Sequence, residues 1–263
     1  MVIMSLRAVC AAAAVVVCSS SSWAEAVPRC AGDVEIPDAR IMRIEHNDVL
    51  VLTDGRALML EGIRLPNAVQ DRAPAAIGDQ AFAALIALAK DQELVARAIY
   101  PKEDRYDRVR SQVFKSDGTW LQIELLRQGL ARVDISPDRS ECAAELFAAE
   151  AQARAARAGL WALPAYAVRT PDSVKGDIGT FQIVQGVVRS VDVRDQRTYL
   201  NFGIDWHSDF TVTIAPDDMK LFRQMGVDPR GYQGKLMRVR GLVQSINGPE
   251  MDLASPKQAE VLQ

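Results

Sequence analysis

Seven consecutive residues, Lys102-Glu103-Asp104-Arg105-Tyr106-Asp107-Arg108, place two arginines within one turn, a set able to hold a phosphate through Arg105 and Arg108. The same stretch carries three acids against three bases, so the competing reading is a solvated turn that neutralises itself. A second set lies downstream. Arg189, Arg194, Arg197, Arg238 and Arg240 alternate with Tyr199, Phe202, Trp206 and Phe210, the mix of cations and flat rings that single-stranded nucleic-acid grooves use. From Thr180 to Gln263, however, ten basic residues meet ten acidic ones. Tyr199 and Arg238 are therefore nucleic-acid candidates only on a locally positive face, and aromatics turned to the core or to a protein partner are the other reading. His46 and His207 are far apart and have no cysteine beside them, so no zinc site is expected.

The frame that must position these groups is large enough for two small domains. The chain has 263 residues, 49% hydrophobic and 25% charged, which excludes disordered and collagenous classes. Residues 1–24 combine Arg7, an apolar run from Ala8 to Cys18 and small residues at Ser22 and Ala24; this is the pattern of a secretory signal peptide. The run is 11 residues long, too short to cross a bilayer, and no later stretch is long enough, so no membrane span is expected. Cleavage after Ala24 removes Arg7 and no acid, taking the net charge from −3 to near −4. That is no electrostatic footprint for a polyanion. Cleavage also removes Cys10 and Cys18, leaving Cys30 and Cys142 in a protein bound for the periplasm or the medium, where they are expected to form a disulfide.

Hydrophobic patterning predicts strands at Ile41–Ile44, Val49–Leu52 and Ala57–Ile63, the last two joined by a turn at Asp54-Gly55. A helix over Asp79–Lys90 presents Phe82, Leu85, Ile86 and Leu88 on one face. Leu94–Tyr100 and Val109–Phe114 follow as strands, then helices at Gln122–Arg127, capped by Gly129, and Glu141–Ala158, stopped by Gly159. Ala162–Gly179, with Pro164, Pro171, Gly176 and Gly179, has the composition of a linker. Strands at Phe181–Val193, Thr198–Phe202 and Phe210–Ile214, a helix at Asp217–Met225, and strands at Leu236–Gln244 and Met251–Leu253 then give three strands, a helix and two strands. That is the order of an oligonucleotide/oligosaccharide-binding (OB) barrel. The expected fold is mainly β with α, two small OB-type barrels: 30–163 with packed helices, 164–179 linking, and 180–263.

Five ordered pieces resemble the thermonuclease, or staphylococcal-nuclease-like, family, itself an OB barrel with added helices. They are His46-Asn47-Asp48-Val49-Leu50-Val51-Leu52, Leu60-Glu61-Gly62-Ile63-Arg64-Leu65-Pro66, Asp104-Arg105-Tyr106-Asp107-Arg108, Glu124-Leu125-Leu126-Arg127-Gln128-Gly129-Leu130-Ala131, and Glu150-Ala151-Gln152-Ala153-Arg154 leading to Gly159-Leu160-Trp161. The resemblance implies phosphodiester hydrolysis of DNA and RNA, with Ca²⁺ held by two aspartates, a glutamate acting on water and two arginines on the phosphate. Hard cations need carboxylate oxygens, the water needs a base, and the developing negative charge needs fixed cations.

Carried over residue by residue, Asp48 matches the first metal aspartate, Arg108 the second phosphate arginine and Tyr106 an aromatic beside the nucleotide. The first phosphate arginine falls on Met59, the second metal aspartate on Arg64 and the base on Asn67. Met59 offers the phosphate neither charge nor donor, and Asn67 accepts no proton at neutral pH. Arg64 sets a cation where a divalent ion should sit, a repulsion of about 1 kcal/mol per charge pair at 4 Å in water and more in a cleft. Losing one catalytic donor costs ~10²–10³ in rate and losing a general base ~10²–10⁴. Glu61, two residues from Met59 on the same strand face, is expected to pair with Arg64, and Arg108 with Asp48 or Glu61. The sequence therefore reads as an exported thermonuclease-like protein with an inactive site, binding a protein partner or single-stranded nucleic acid and needing no cofactor. The alternatives are a Ca²⁺- or Mg²⁺-dependent phosphodiesterase using Asp48, Glu61 and Arg108, and a cell-envelope scaffold.

Overall fold

The computed structural model describes residues 27–45, 49–205 and 207–262. The expected leader and its cleavage site, His46, Asp48 and Trp206 lie outside the described residues. The first strand, β1 (Asp33–Ala39), contains Pro37 and three acids and lies at the edge of its sheet, where a missing backbone N–H breaks no ladder. Those residues hide it from the sequence reading. β2 (Ile41–Ile44), β3 (Val49–Leu52) and β4 (Ala57–Leu60) form the expected meander. The predicted strand through Ile63 is interrupted. The chain bends at Glu61-Gly62, where Gly62 takes φ +86° and Leu146 occupies the space a Cβ would need, and then resumes as β5 (Ile63–Arg64). Only glycine accommodates both demands.

Two helices follow, α1 (Ala68–Asp71) and α2 (Ala75–Ala89), the second burying Ile77, Ala81, Leu85 and Ala89 at helical spacing. It starts earlier than predicted, at Ala75, directly after Pro74, which stands at the N-cap and has no N–H to leave unsatisfied. Then come β6 (Leu94–Ala98), β7 (Arg108–Lys115), α3 (Leu121–Arg127), β8 (Arg132–Val133) and α4 (Ala143–Ala155). Gly129 and Gly159 lock the helix ends together: each has positive φ, each faces the other's backbone, and Leu160 N–H donates to Gly129 O at 2.8 Å.

Among the described residues the first sheet runs β1-β6-β7-β4-β3-β2, with β4 and β7 parallel. Its two edge strands are consecutive in the chain and separated only by Arg40, so the sheet curls back on itself. In the C-terminal part β9 (Phe181–Val187), β10 (Ser190–Arg194), β11 (Arg197–Asn201), β12 (Thr211–Ile214), α5 (Met219–Gln224), β13 (Leu236–Leu242), β14 (Gln244–Ser245), β15 (Pro249–Asp252) and β16 (Ala259–Val261) form sheets ordered β10-β11-β12-β15-β14 and β16-β13-β9. The sheets meet at two corners. β9 passes into β10 at Val188-Arg189 and β13 into β14 at Val243, and both valines are buried. Counting each bent pair as one strand, both units have the ring order first-second-third-fifth-fourth, a parallel third–fifth pair and a helix between the third and fourth strands. This is the Greek-key order of an OB-type barrel.

Buried apolar residues fall into two clusters, one centred in each unit, with Ile183 of β9 joining the first. The Pro- and Gly-containing stretch 164–179 is packed between them. Tyr166 joins the first cluster and Val174 the second. Arg169 bonds Asp177 twice, at 2.7 and 3.2 Å, and Arg72 donates to Gly176 O and Ile178 O. Arginine forks fix a segment whose apolar content alone would leave it loose. The expected disulfide is present: Cys30 and Cys142, with Cα atoms 5.1 Å apart, tie the segment before β1 to the start of α4. No helix among the described residues is long and apolar enough to cross a membrane.

Buried arginines join the two units. Arg132 donates to Phe181 O and to Asp71, both at 2.7 Å, and lies 4.8 Å from the Tyr166 ring and 5.0 Å from the Phe181 ring. Tyr166 closes the cluster by donating its hydroxyl to Asp71 at 3.0 Å, and burial together with that carboxylate pushes the phenol above its usual range. Tyr166→Phe is expected to lower folding stability by about 1.5–3 kcal/mol, the worth of a hydrogen bond to a charged group, read from denaturant midpoints at unchanged slope.

Candidate functional site

β4 and β7 run side by side with Ala57 opposite Arg108 and Met59 opposite Arg110. Leu58, Leu60 and Val109 fill the core, so alternation turns Met59, Arg108 and Arg110 to the outer face. Arg110 is buried. Its Nε donates to Glu61 Oε2 at 2.7 Å and its two terminal nitrogens grip Asp138 at 2.7 and 3.1 Å. Burial works against its charge, but Asp138 and Glu61 outweigh burial and hold the guanidinium more firmly protonated than usual. Glu61 therefore pairs with Arg110, and not with Arg64 or Arg108 as the sequence suggested. The sequence reading overlooked Arg110, although its place two residues after Arg108 on a strand marks the same face.

Arg108 bends back on its own turn, donating to Asp104 Oδ2 through Nε at 2.8 Å and Nη2 at 2.5 Å. Arg105 and Arg108 lie 4.8 and 5.0 Å from the centre of the Tyr106 ring, which is 60% exposed. Both arginines of the turn thus lie close to one ring, and Asp104 is the anion that holds Arg108. Burial opposes ionisation of Asp104, yet Arg108 and the N–H groups of Tyr106 and Arg108 hold its carboxyl below the usual range.

Arg64 is held on three sides. It pairs with Asp134 at 3.5 Å, donates to Gln70 Oε1 at 3.3 Å and lies 4.6 Å from the centre of the Phe181 ring, which belongs to β9 of the second unit. Asn67 caps α1, its side chain accepting from Gln70 N–H at 2.9 Å while its own N–H donates to Asp71 at 3.0 Å. Asparagine is among the best residues for that position. Asp48 lies outside the described residues.

Residues 57–163 match the family model of the staphylococcal nuclease homologues. That stretch is staphylococcal-nuclease-like. No curated protein matches the chain. The domain's match begins within β4 and ends past Trp161, so it takes in Met59, Arg64, Asn67 and the turn at 104–108.

The calcium that such a domain implies does not fit the residues described here. Arg64 has only donors to offer a cation, Asn67 is committed to its cap, and Glu61 is committed to Arg110. Among the described residues no group of three or more His, Cys, Asp or Glu side chains comes together as a ligand set. The weaker candidates of the second unit are separated by the fold. Tyr199 stands on β11, while Arg238 stands on β13 of the other sheet, where Glu260 at 3.2 Å and Gln185 at 2.8 Å take its guanidinium. Arg240, another candidate cation, is turned into the protein against Glu150.

Proposed function

We propose that this is an exported, nuclease-like protein that does not hydrolyse phosphodiesters and instead binds a partner, a protein in preference to a nucleic acid. The observation that carries this reading is the seat of Arg64, gripped by Asp134, Gln70 and Phe181 at the position where the family resemblance calls for a metal aspartate. A guanidinium held in that way stays in place and repels a divalent ion. Further support comes from Met59 and from the cap made by Asn67, which leave no phosphate donor and no base at their positions. The cations that a nucleic acid would need are spent internally: Arg108 on Asp104, Arg110 on Glu61 and Asp138, Arg240 on Glu150 and Glu260. The net charge of −3 argues the same way. Export is supported by the leader-like residues 1–24 and by a disulfide of the kind that persists in oxidising compartments.

One observation favours a second reading, a divalent-metal phosphodiesterase. Tyr106 and Arg108 keep the family's positions, and Tyr106 remains exposed. A quenched single-stranded oligonucleotide separates the two. Binding without cleavage predicts the same negligible fluorescence change in Ca²⁺, Mg²⁺ or chelator; a metal-dependent rise abolished by Arg108→Ala would establish the enzyme. Retention on immobilised single-stranded DNA that falls steeply with salt would make the partner a nucleic acid and not a protein.

A further inference from the structure

The hairpin of β10 and β11 closes on Asp195 and Gln196, both with positive φ, 49° and 64°, the backbone of a tight two-residue turn. Its register sets Val191 opposite Leu200 and Val193 opposite Thr198. Leu200 belongs to the core of the second unit and Val191 packs against it, so alternation turns Val193 and Thr198 to the same inner face. The hairpin outruns the core it covers: Thr198 is still buried, but Val193 is 50% exposed. α5 packs against this end, with Phe222 buried and Met219 Sδ 3.8 Å from Thr198 Oγ1. It is only six residues long, and a groove of about 540 Å³ remains between it and the hairpin.

Val193, Pro216, Met219, Val227 and Pro229 give the groove its apolar lining, and Arg223 and Arg230 give it cations. Two of the apolar residues are prolines with fixed φ, and Pro229 is buried at the start of the turn Pro229–Tyr232, so the bed is formed in advance of any ligand. Both arginines are exposed, and neither has an ion-pair partner among the described residues. They differ in this from Arg108, Arg110, Arg132 and Arg240, each of which a carboxylate holds. The acid in the lining, Asp228, accepts from the Arg230 backbone N–H at 3.0 Å as the cap of that turn, and Asp217 is taken by Lys220 at 2.9 Å. The groove therefore joins an apolar bed to a positive charge with nothing yet to meet it.

Charge and lining together select the ligand. A neutral apolar molecule would leave both guanidinium groups unused, and a polyanion would lay charge along the apolar bed, where it loses its hydration without return. What satisfies both is a single anionic end on an aliphatic body. We propose that this groove binds a fatty-acid anion, its carboxylate on Arg223 and Arg230 and its chain along Val193, Met219 and Val227. The planar carboxylate matches the guanidinium fork, and the volume lies within the roughly 300–1,000 Å³ usual for small-molecule sites. The groove opens at the inner face of the hairpin, away from the outward face that carries Tyr199. The inference rests on the second unit alone and holds whether or not the first cleaves phosphodiesters.

Calorimetric titration of the full chain with decanoate, decanol and decyltrimethylammonium tests it. The expected result is saturable binding of decanoate, weaker binding of decanol by roughly tenfold or more, the worth of one charge-assisted hydrogen bond, and no binding of the cationic amphiphile. Arg223→Glu combined with Arg230→Glu should weaken decanoate binding by at least that factor, while Arg223→Lys with Arg230→Lys should retain most of it. Val193→Asp, which sets a charge on the bed, should also weaken it. All three positions are exposed, so Tm without ligand should stay at the wild-type value and a loss of binding is not a loss of folding. The inference is overturned if decanoate does not bind, if decanol binds as tightly, or if binding survives the paired charge reversal or Val193→Asp.

Discussion

Arg240→Ala is expected to cost about 3–5 kcal/mol of folding stability, the penalty for stranding one partner of a buried ion pair, and to lower Tm by roughly 6–20 °C. Arg240 is 2% exposed. It donates to both oxygens of Glu150 at 3.0 Å, to Val133 O at 3.0 Å and to Glu260 at 2.9 Å, and the Phe147 ring centre lies 4.4 Å away. Glu150 belongs to α4 and Arg240 to β13, so the change removes a tie between the N- and C-terminal parts as well as a charge partner. Arg154, at 3.1 Å from Glu150, supplies partial compensation and sets the cost within that range. A loss under about 1 kcal/mol in chemical denaturation would show that the pair does not join the units.

The same pair fixes a pH dependence. Burial by itself would raise the Glu150 pKa, but Arg240, the Val133 N–H and Arg154 overcome it and hold the carboxyl below its usual value. A carboxyl depressed on folding contributes stability that is complete above its unfolded pKa of about 4.3 and is lost as pH falls through the folded value. The wild-type protein should therefore lose stability on acidification below about pH 4, and Glu150→Gln should show a shallower acid limb together with lower stability at neutral pH.

Replacing Cys30 and Cys142 by alanine is expected to cost about 4–5 kcal/mol, since the bond closes a loop spanning 112 positions and the chain entropy it removes grows with loop length. Reductant should lower the Tm of the wild type towards that of the double variant and leave the variant unmoved. A wild-type Tm indifferent to reductant, with both thiols titratable, would contradict the role given to this bond.

Much of the architecture is written in the hydrophobic alternation. The strands at Ile41–Ile44 and Val49–Leu52 fall where the pattern puts them, and the three-strand, helix, two-strand order of the C-terminal part survives as a ring with a parallel closing pair. What the pattern conceals depends on single residues. Pro37 masks β1 because an edge position tolerates it, and Gly62 ends β4 because Leu146 presses on the bend. Phe181–Val193 is two strands because the chain turns a corner at Val188.

At the candidate site the sequence assigns Met59, Arg64 and Asn67 to their positions through the resemblance alone. It does not give their partners. Glu61 meets Arg110, Arg64 meets Asp134 and Phe181, and Glu150 meets an arginine 90 positions away. A buried charge carries the same letter as a solvated one, so only the fold reveals which arginines are spent inside. That is why Arg240 looked like part of a nucleic-acid face.

Thermal unfolding of the full chain with and without about 10 mM CaCl₂ tests the central claim most directly, because a ligand that binds only the folded state raises Tm by mass action. With Arg64 seated against Asp134 and Phe181, the account predicts no shift. A saturable rise in Tm that disappears in Asp48→Ala would contradict it.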